Sequence, residues 1–146
     1  MKTTYLFDGN NVIHKITSLR KQFRLNPDFA AKALVEICRS KLNKKVNILL
    51  VFDGYGSSNT NSIIFSKEKT ADKIICEYIE SNYLKEQIVV VSSDMEILSK
   101  AKKCGCKIIS SEEFLKEISK KNVKSQEKPE RITDKEFKEF LEYFKQ

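Results

Sequence analysis

The chain has 146 residues, 40% of them hydrophobic with nine Phe and five Tyr, which suits one folded domain and excludes a fibrous or wholly disordered polymer. Its formal net charge of +7 is concentrated: between His14 and Lys45 stand Lys15, Arg20, Lys21, Arg24, Lys32, Arg39, Lys41, Lys44 and Lys45 against Asp28 and Glu36, so this segment holds the whole excess. Met1–Thr4 leads straight into an apolar run with no signal segment or membrane span, so the expected address is the cytoplasm and the four cysteines are expected to be reduced.

From Tyr5 the chain runs Tyr-Leu-Phe and stops at Asp8-Gly9-Asn10, a short apolar strand that ends on a carboxylate at a turn. Asn10–Ser18 fits a short helix or loop, and Leu19–Leu25 reads as a basic, aperiodic connection. Asn26-Pro27-Asp28 is a helix start, with Asn as N-cap, Pro at the first helical position and an acid in the first turn. Phe29, Ala33, Leu34, Ile37, Cys38 and Leu42 recur at helical spacing, which predicts an amphipathic helix covering a sheet.

Val46–Phe52 is a second apolar run, stopping at Asp53-Gly54, followed by a loop rich in Gly, Ser and Asn and a short strand at Ile63–Phe65. Thr70 caps a helix in which Ile74, Ile75, Tyr78 and Ile79 face inward. Asp72 in its first turn complements the helix dipole by only a few tenths to about one kcal/mol. The surrounding Lys67, Lys69 and Lys73 argue for a role beyond that.

Ile88–Val91 is the third run, followed by Ser92-Ser93-Asp94, with Ser93 and Glu96 as a capping box and Gly105 as a helix stop. Lys107–Ile109 predicts another parallel strand, and Ser110 with Glu113 caps a helix through Ile118. Asn122–Arg131 reads as a polar linker, and Thr133 with Glu136 starts a last helix carrying Phe137, Phe140, Leu141 and Phe144. The expected organisation is a domain over 1–121, a linker over 122–132 and a terminal helix over 133–146 packed back on the domain.

Continuous apolar runs alternating with helices predict a three-layer α/β domain with a central, mostly parallel sheet. The carboxyl ends of parallel strands share one edge, and ligands bind in the crevice beyond it. If the three acid-ended strands are neighbours, Asp8, Asp53, Asp72 and Asp94 form a carboxylate cluster. Such acids repel one another unless a cation compensates, and hard oxygen ligands select Mg²⁺ or Mn²⁺. These ions activate water and neutralise charge on a phosphodiester. Beside a basic segment that would hold a polyanion, the cluster reads as a metal-dependent nuclease site.

Other chemistries lack their parts. There is no Walker loop and no G-x-G-x-x-G, Ser92 and Ser93 lack a nucleophile elbow, and the lone His14 has no triad. Cys104-Gly105-Cys106 lacks the spacer and second pair of a zinc site, while Cys38 and Cys76 fall at apolar helix positions and read as core.

Taken in order, Asp8-Gly9-Asn10-Asn11-Val12-Ile13, Phe52-Asp53-Gly54, Thr70-Ala71-Asp72 and Ser92-Ser93-Asp94 resemble the YacP-like branch of the NYN domains, in the PIN-like nuclease group. Ser110-Ser111-Glu112-Glu113-Phe114 and the terminal aromatic helix extend the resemblance over most of the chain. It implies a PIN-like fold and a metal-dependent endoribonuclease, with Asp8, Asp72 and Asp94 as metal-binding acids and Asp53 a further acidic member. It also implies that Asn11 shapes the first turn and that Thr70 or Ser92 positions a metal-bound water or a phosphate. Bacterial YacP-like proteins are associated with messenger RNA decay linked to translation, so the resemblance implies mRNA as substrate and the ribosome as partner. Lys15, Arg20, Lys21, Arg24, Lys67, Lys69 and Lys73 are the expected RNA-binding cations.

Two departures from the family's pattern matter. Asn10 stands where many relatives look to have an aromatic residue, and Lys73 where they have a second acid. An ammonium in that place removes a ligand and sets a positive charge near the metal site. A non-catalytic RNA or ribosome adaptor on the same fold, and a phosphatase or nucleotide hydrolase at the same edge, stand as alternatives.

Overall fold

The computed structural model describes residues 1–57 and 60–122. The expected linker beyond Asn122 and the terminal helix lie outside the described residues. Strands β1 (Lys2–Asp8), β2 (Asn47–Phe52), β3 (Ile63–Phe65), β4 (Glu86–Val91) and β5 (Lys107–Ile109) form one sheet in the order β3-β2-β1-β4-β5, and every pairing in it is parallel. Helices α1 (Gly9–His14), α2 (Thr17–Leu25), α3 (Pro27–Lys41), α4 (Ala71–Asn82), α5 (Met95–Lys103) and α6 (Ser111–Asn122) cover it.

Alternation within the strands assigns the two faces. Phe7, Ile48, Leu50 and Phe52 pack with α1, α2, α3 and α6, and Leu6, Leu49, Val51, Ile88 and Val90 pack with α4 and α5. The central strands are therefore apolar on both sides, the condition that made them readable as continuous runs. Full burial of Phe7, Phe52 and Phe114 contributes roughly 1.5–3 kcal/mol for each ring. The three-layer α/β domain expected from the sequence is the one observed. Among the described residues no helix is long and apolar enough to cross a membrane.

Strand order matters most for function. The chain builds outward from β1 through β2 to β3, then returns to the other side of β1 with β4 and β5. The order reverses between β1 and β4, and at such a reversal the flanking connections leave in opposite directions and open a crevice at the carboxyl edge. Asp8 ends β1 at this point, level with Val51 of β2, while Phe7 is level with Val91 of β4.

The structure corrects three local expectations. Leu19–Leu25 is not a connection but most of α2: Leu19 is buried and Phe23, four residues on, packs on the same core, so two anchors one turn apart hold an otherwise polar helix against α3. Ser93 does not cap α5. The N-cap is Asp94, whose Oδ1 accepts from the Glu96 and Ile97 amides at 2.9 and 3.4 Å. Cys76 is only half-buried, whereas Cys38 is in the core as expected. The caps read at Asn26, Thr70 and Ser110 are present, accepting from Phe29, Lys73 and Glu113 respectively.

The glycine after Asp8 is set by packing. A Cβ on Gly9 would lie 2.4 Å from the Phe52 ring, which is itself fully buried and stacked between Phe23 and Phe65 at centroid distances of 5.4 and 5.5 Å. The ring has nowhere to retreat. Gly9→Ala is expected to lower stability by about 1–3 kcal/mol, seen as an earlier urea midpoint. An unchanged midpoint would show that the contact is soft.

Candidate active site at the carboxyl edge of the sheet

Asp8 is the centre of the edge. It is 7% exposed, and its Oδ2 accepts from the Ser92 hydroxyl at 2.9 Å. The same hydroxyl accepts from the Asp94 amide at 2.9 Å, so one fully buried side chain links the end of β1 to the start of α5. Burial pushes the Asp8 carboxyl up to about 6, with the charges of Asp72 and Asp94 adding to the rise and the Ser92 hydroxyl and the Asn11 amide opposing it.

Asp72 stands in the first turn of α4 and is also raised, by burial first and then by Asp94, Asp53 and Glu96. Thus α4 and α5 both point their starts, each with acids, at the end of β1. Asp53, exposed at the end of β2, accepts from the Ala71 amide at 2.8 Å through Oδ1 and so fixes the first turn that carries Asp72. The four expected carboxylates form one electrostatic group, with Asp8 and Asp72 each feeling Asp94. Among the described residues no three His, Cys, Asp or Glu side chains stand together at the spacing of a ready metal cage. The donors are carboxylate oxygens throughout, the chemistry that hard divalent cations take.

Asparagines hold this edge together. Asn10 Oδ1 accepts from the Asp53 amide at 2.7 Å, tying α1 to the end of β2. Asn11 Oδ1 accepts from the Ser93 amide at 3.0 Å and the Ser111 hydroxyl at 2.6 Å, tying α1 to the segments after β4 and β5. Ser93 Oγ donates to Glu112 at 2.6 Å and accepts from the Ser111 amide at 3.2 Å. Glu112 also pairs with Lys15 at 3.1 Å and is held down to about 2 by the Ser93 hydroxyl, its own backbone amide and Lys15.

The expected RNA-binding residues differ in their partners. All the lysines among them and Arg24 are exposed, but three of the seven cations are engaged by other groups. Lys15 is paired with Glu112, Lys69 with Glu77 at 3.2 Å, and Arg20 donates to the His14 carbonyl at 3.0 Å. Thr70 Oγ1 is engaged as the cap of α4, and Ser92 is fully buried between Asp8 and Asp94, so its hydroxyl positions a carboxylate rather than meeting a phosphate. The acids that add to the rise at Asp72 are Asp94, Asp53 and Glu96.

Sequence reading missed Asn10, Ser111, Glu96 and Glu112 as parts of the edge. The signal for Asn10 and Ser111 was the doublets, Asn10-Asn11 after the first acid and Ser110-Ser111 after β5; Glu96 and Glu112 gave none beyond their place in the first turn of a helix. A cleft of about 560 Å³ lies elsewhere, at the amino ends of the strands, and includes Lys2, Thr4, Asn47 and Tyr78.

The family model of the YacP-like NYN domain matches residues 5–145. No curated protein matches the sequence. The crystal structure of Rae1 (YacP) from Bacillus subtilis superimposes with a TM-score of 0.62 at 25% identity, covering 82% of this chain and 75% of that one. A variant of the same Bacillus subtilis protein gives a TM-score of 0.66 at 26% identity, covering 84% of this chain and 77% of that one. Together with the parallel sheet and its acidic edge, the match over nearly the whole sequence establishes that this chain belongs to the YacP-like NYN domain family, in the PIN-like ribonuclease group.

Proposed function

We propose that the protein is a Mg²⁺- or Mn²⁺-dependent endoribonuclease whose working residues are Asp8, Asp72 and Asp94, with Asp53 setting the position of Asp72. The observation that supports this most is the gathering of acids from β1, α4 and α5 at the strand-order reversal, where burial first and the neighbouring acids second lift Asp8 to about 6 and raise Asp72. A protein that keeps like charges close and partly buried without a partner sacrifices stability, and a cation recovers it. Mg²⁺ keeps several waters and takes one or two carboxylates together with substrate phosphates, which fits acids placed around an edge.

Asp8, Asp72 and Asp94 would hold the ion, which when bound supplies an activated water and neutralises charge on the phosphodiester. Ser92 keeps Asp8 oriented through its hydroxyl, and Asn11 holds the segments after β4 and β5 in place. The exposed Lys21, Arg24, Lys67 and Lys73 draw the RNA backbone to the edge through phosphate contacts. Family resemblance points to mRNA under translation as the substrate, to the ribosome as partner and to a cytoplasmic setting.

Calorimetric titration of Mn²⁺ tests the metal reading. Saturable heat with the wild type and none with the Asp8→Asn/Asp94→Asn variant is the expected result. Equal binding by both proteins would remove these acids from the metal site. Absence of binding in both would favour the adaptor reading.

A further inference from the structure

We infer that the segment 53–57 after β2 is a preformed stacking platform for single-stranded RNA, with Tyr55 taking a base and Lys67 an adjacent phosphate. The inference rests on the RNA reading above and adds a base-binding site to it. Tyr55 is 65% exposed, two residues beyond Asp53 at the acidic edge.

An exposed aromatic on a free loop would mean little, but this loop is held on both sides of Tyr55. The Asp53 amide donates to Asn10, and Asp53 Oδ1 accepts from the Ala71 amide. The Gly54 amide donates to Ser66 Oγ at 3.0 Å, and its carbonyl accepts from the Lys67 amide at 2.8 Å. Gly54 has φ +92°, a conformation that favours glycine. Beyond Tyr55, Gly56 sits so close to Phe65 that a Cβ would lie 2.4 Å from that ring. The Ser57 amide and hydroxyl both donate to Asp28, at 3.2 and 2.9 Å.

Tyr55 is thus presented to solvent by a backbone that has already given up its freedom, and an aromatic so placed binds at a small entropic cost. Lys67, at φ 60° and joined through its amide to Gly54, brings an exposed ammonium to the same loop. An exposed aromatic and an exposed cation on backbone segments joined by a hydrogen bond, two residues from a carboxylate, match the chemistry of a single strand, whose bases stack and whose phosphates pair. Stacking is tolerant of sequence, so the platform would hold RNA in register at the edge without choosing its bases.

The test is binding of a short single-stranded RNA carrying 2-aminopurine, in EDTA so that no cleavage intervenes, followed by fluorescence and anisotropy. Tyr55→Ala is expected to weaken binding roughly tenfold, and Tyr55→Phe to keep it within about twofold, because the ring face rather than the hydroxyl does the stacking. Lys67→Asn, chosen because Asn tolerates positive φ, is expected to lower the slope of log affinity against log salt by about 0.7. Wild-type affinity in Tyr55→Ala, or loss in Tyr55→Phe equal to that in Tyr55→Ala, would overturn the platform. So would failure of the wild type to bind the RNA. Tyr55-dependent binding by a wild type that does not cleave on adding Mn²⁺ would leave the platform standing and sink the nuclease reading instead.

Discussion

Asp8→Asn is expected to lower Mn²⁺-dependent RNA cleavage by at least about a hundredfold, since an ion held by carboxylates supplies several kcal/mol of charge stabilisation to a phosphodiester transition state. The substitution isolates charge from shape. An Asn at position 8 still offers an oxygen to the Ser92 hydroxyl, so the link from Ser92 to the Asp94 amide survives. Asp94→Asn is expected to act alike, because Asn caps a helix as well as Asp and the start of α5 keeps its bonds to Glu96 and Ile97. The measurement is single-turnover cleavage of a labelled RNA, with circular dichroism confirming the fold. Undiminished cleavage by both variants would place the chemistry elsewhere.

The second large effect runs the other way. In the absence of divalent metal, Asp8→Asn is expected to be more stable than the wild type at pH 7.5, by about 1–3 kcal/mol. The folded-state carboxyl of Asp8 titrates at about 6 against an ordinary value of 3.8. Between those values the native state binds more protons than the unfolded state, so unfolding free energy falls as pH rises through that window. Above it the whole cost of an ionised, crowded carboxylate is present, and at pH 4 it is nearly gone. Asn never ionises and escapes the cost, so the gap between variant and wild type should open from pH 4 to pH 7.5. Urea denaturation in EDTA across that range reads it directly. Adding Mn²⁺ should then stabilise the wild type and not the variant, because only the native carboxylates bind the ion. A gap that stays constant with pH would show that Asp8 is not the group being relieved.

The two results are connected. A residue that destabilises the resting fold and is needed for cleavage is one kept for its charge. Raised Asp72 has the same sign and sits on the facing helix, so the penalty is shared across the edge and not confined to one side chain.

Much of this was legible in the residues. Apolar runs stopping at Asp8, Asp53 and Asp94 announced buried parallel strands, because a strand covered on both faces leaves no polar alternation to obscure it. Asn26, Thr70 and Ser110 were readable as caps because a cap reaches only three residues along its own chain. Leu19–Leu25 was misread because its two anchors, Leu19 and Phe23, carry too little periodicity alone, and packing on α3 supplied the rest.

What the sequence by itself determined, then, is the strands, the helices other than α2, and which strands lead into acids, since those follow from contacts between residues within a turn or two. The tertiary structure decided that β2, β1 and β4 are neighbours, that Leu19–Leu25 is helical, and which partners the edge asparagines take. Asn10 meets the amide of a residue 43 positions away, and Asn11 binds groups 82 and 100 positions away. No local spacing encodes a hydrogen bond across such separations, because its partner is fixed by the order in which strands join the sheet.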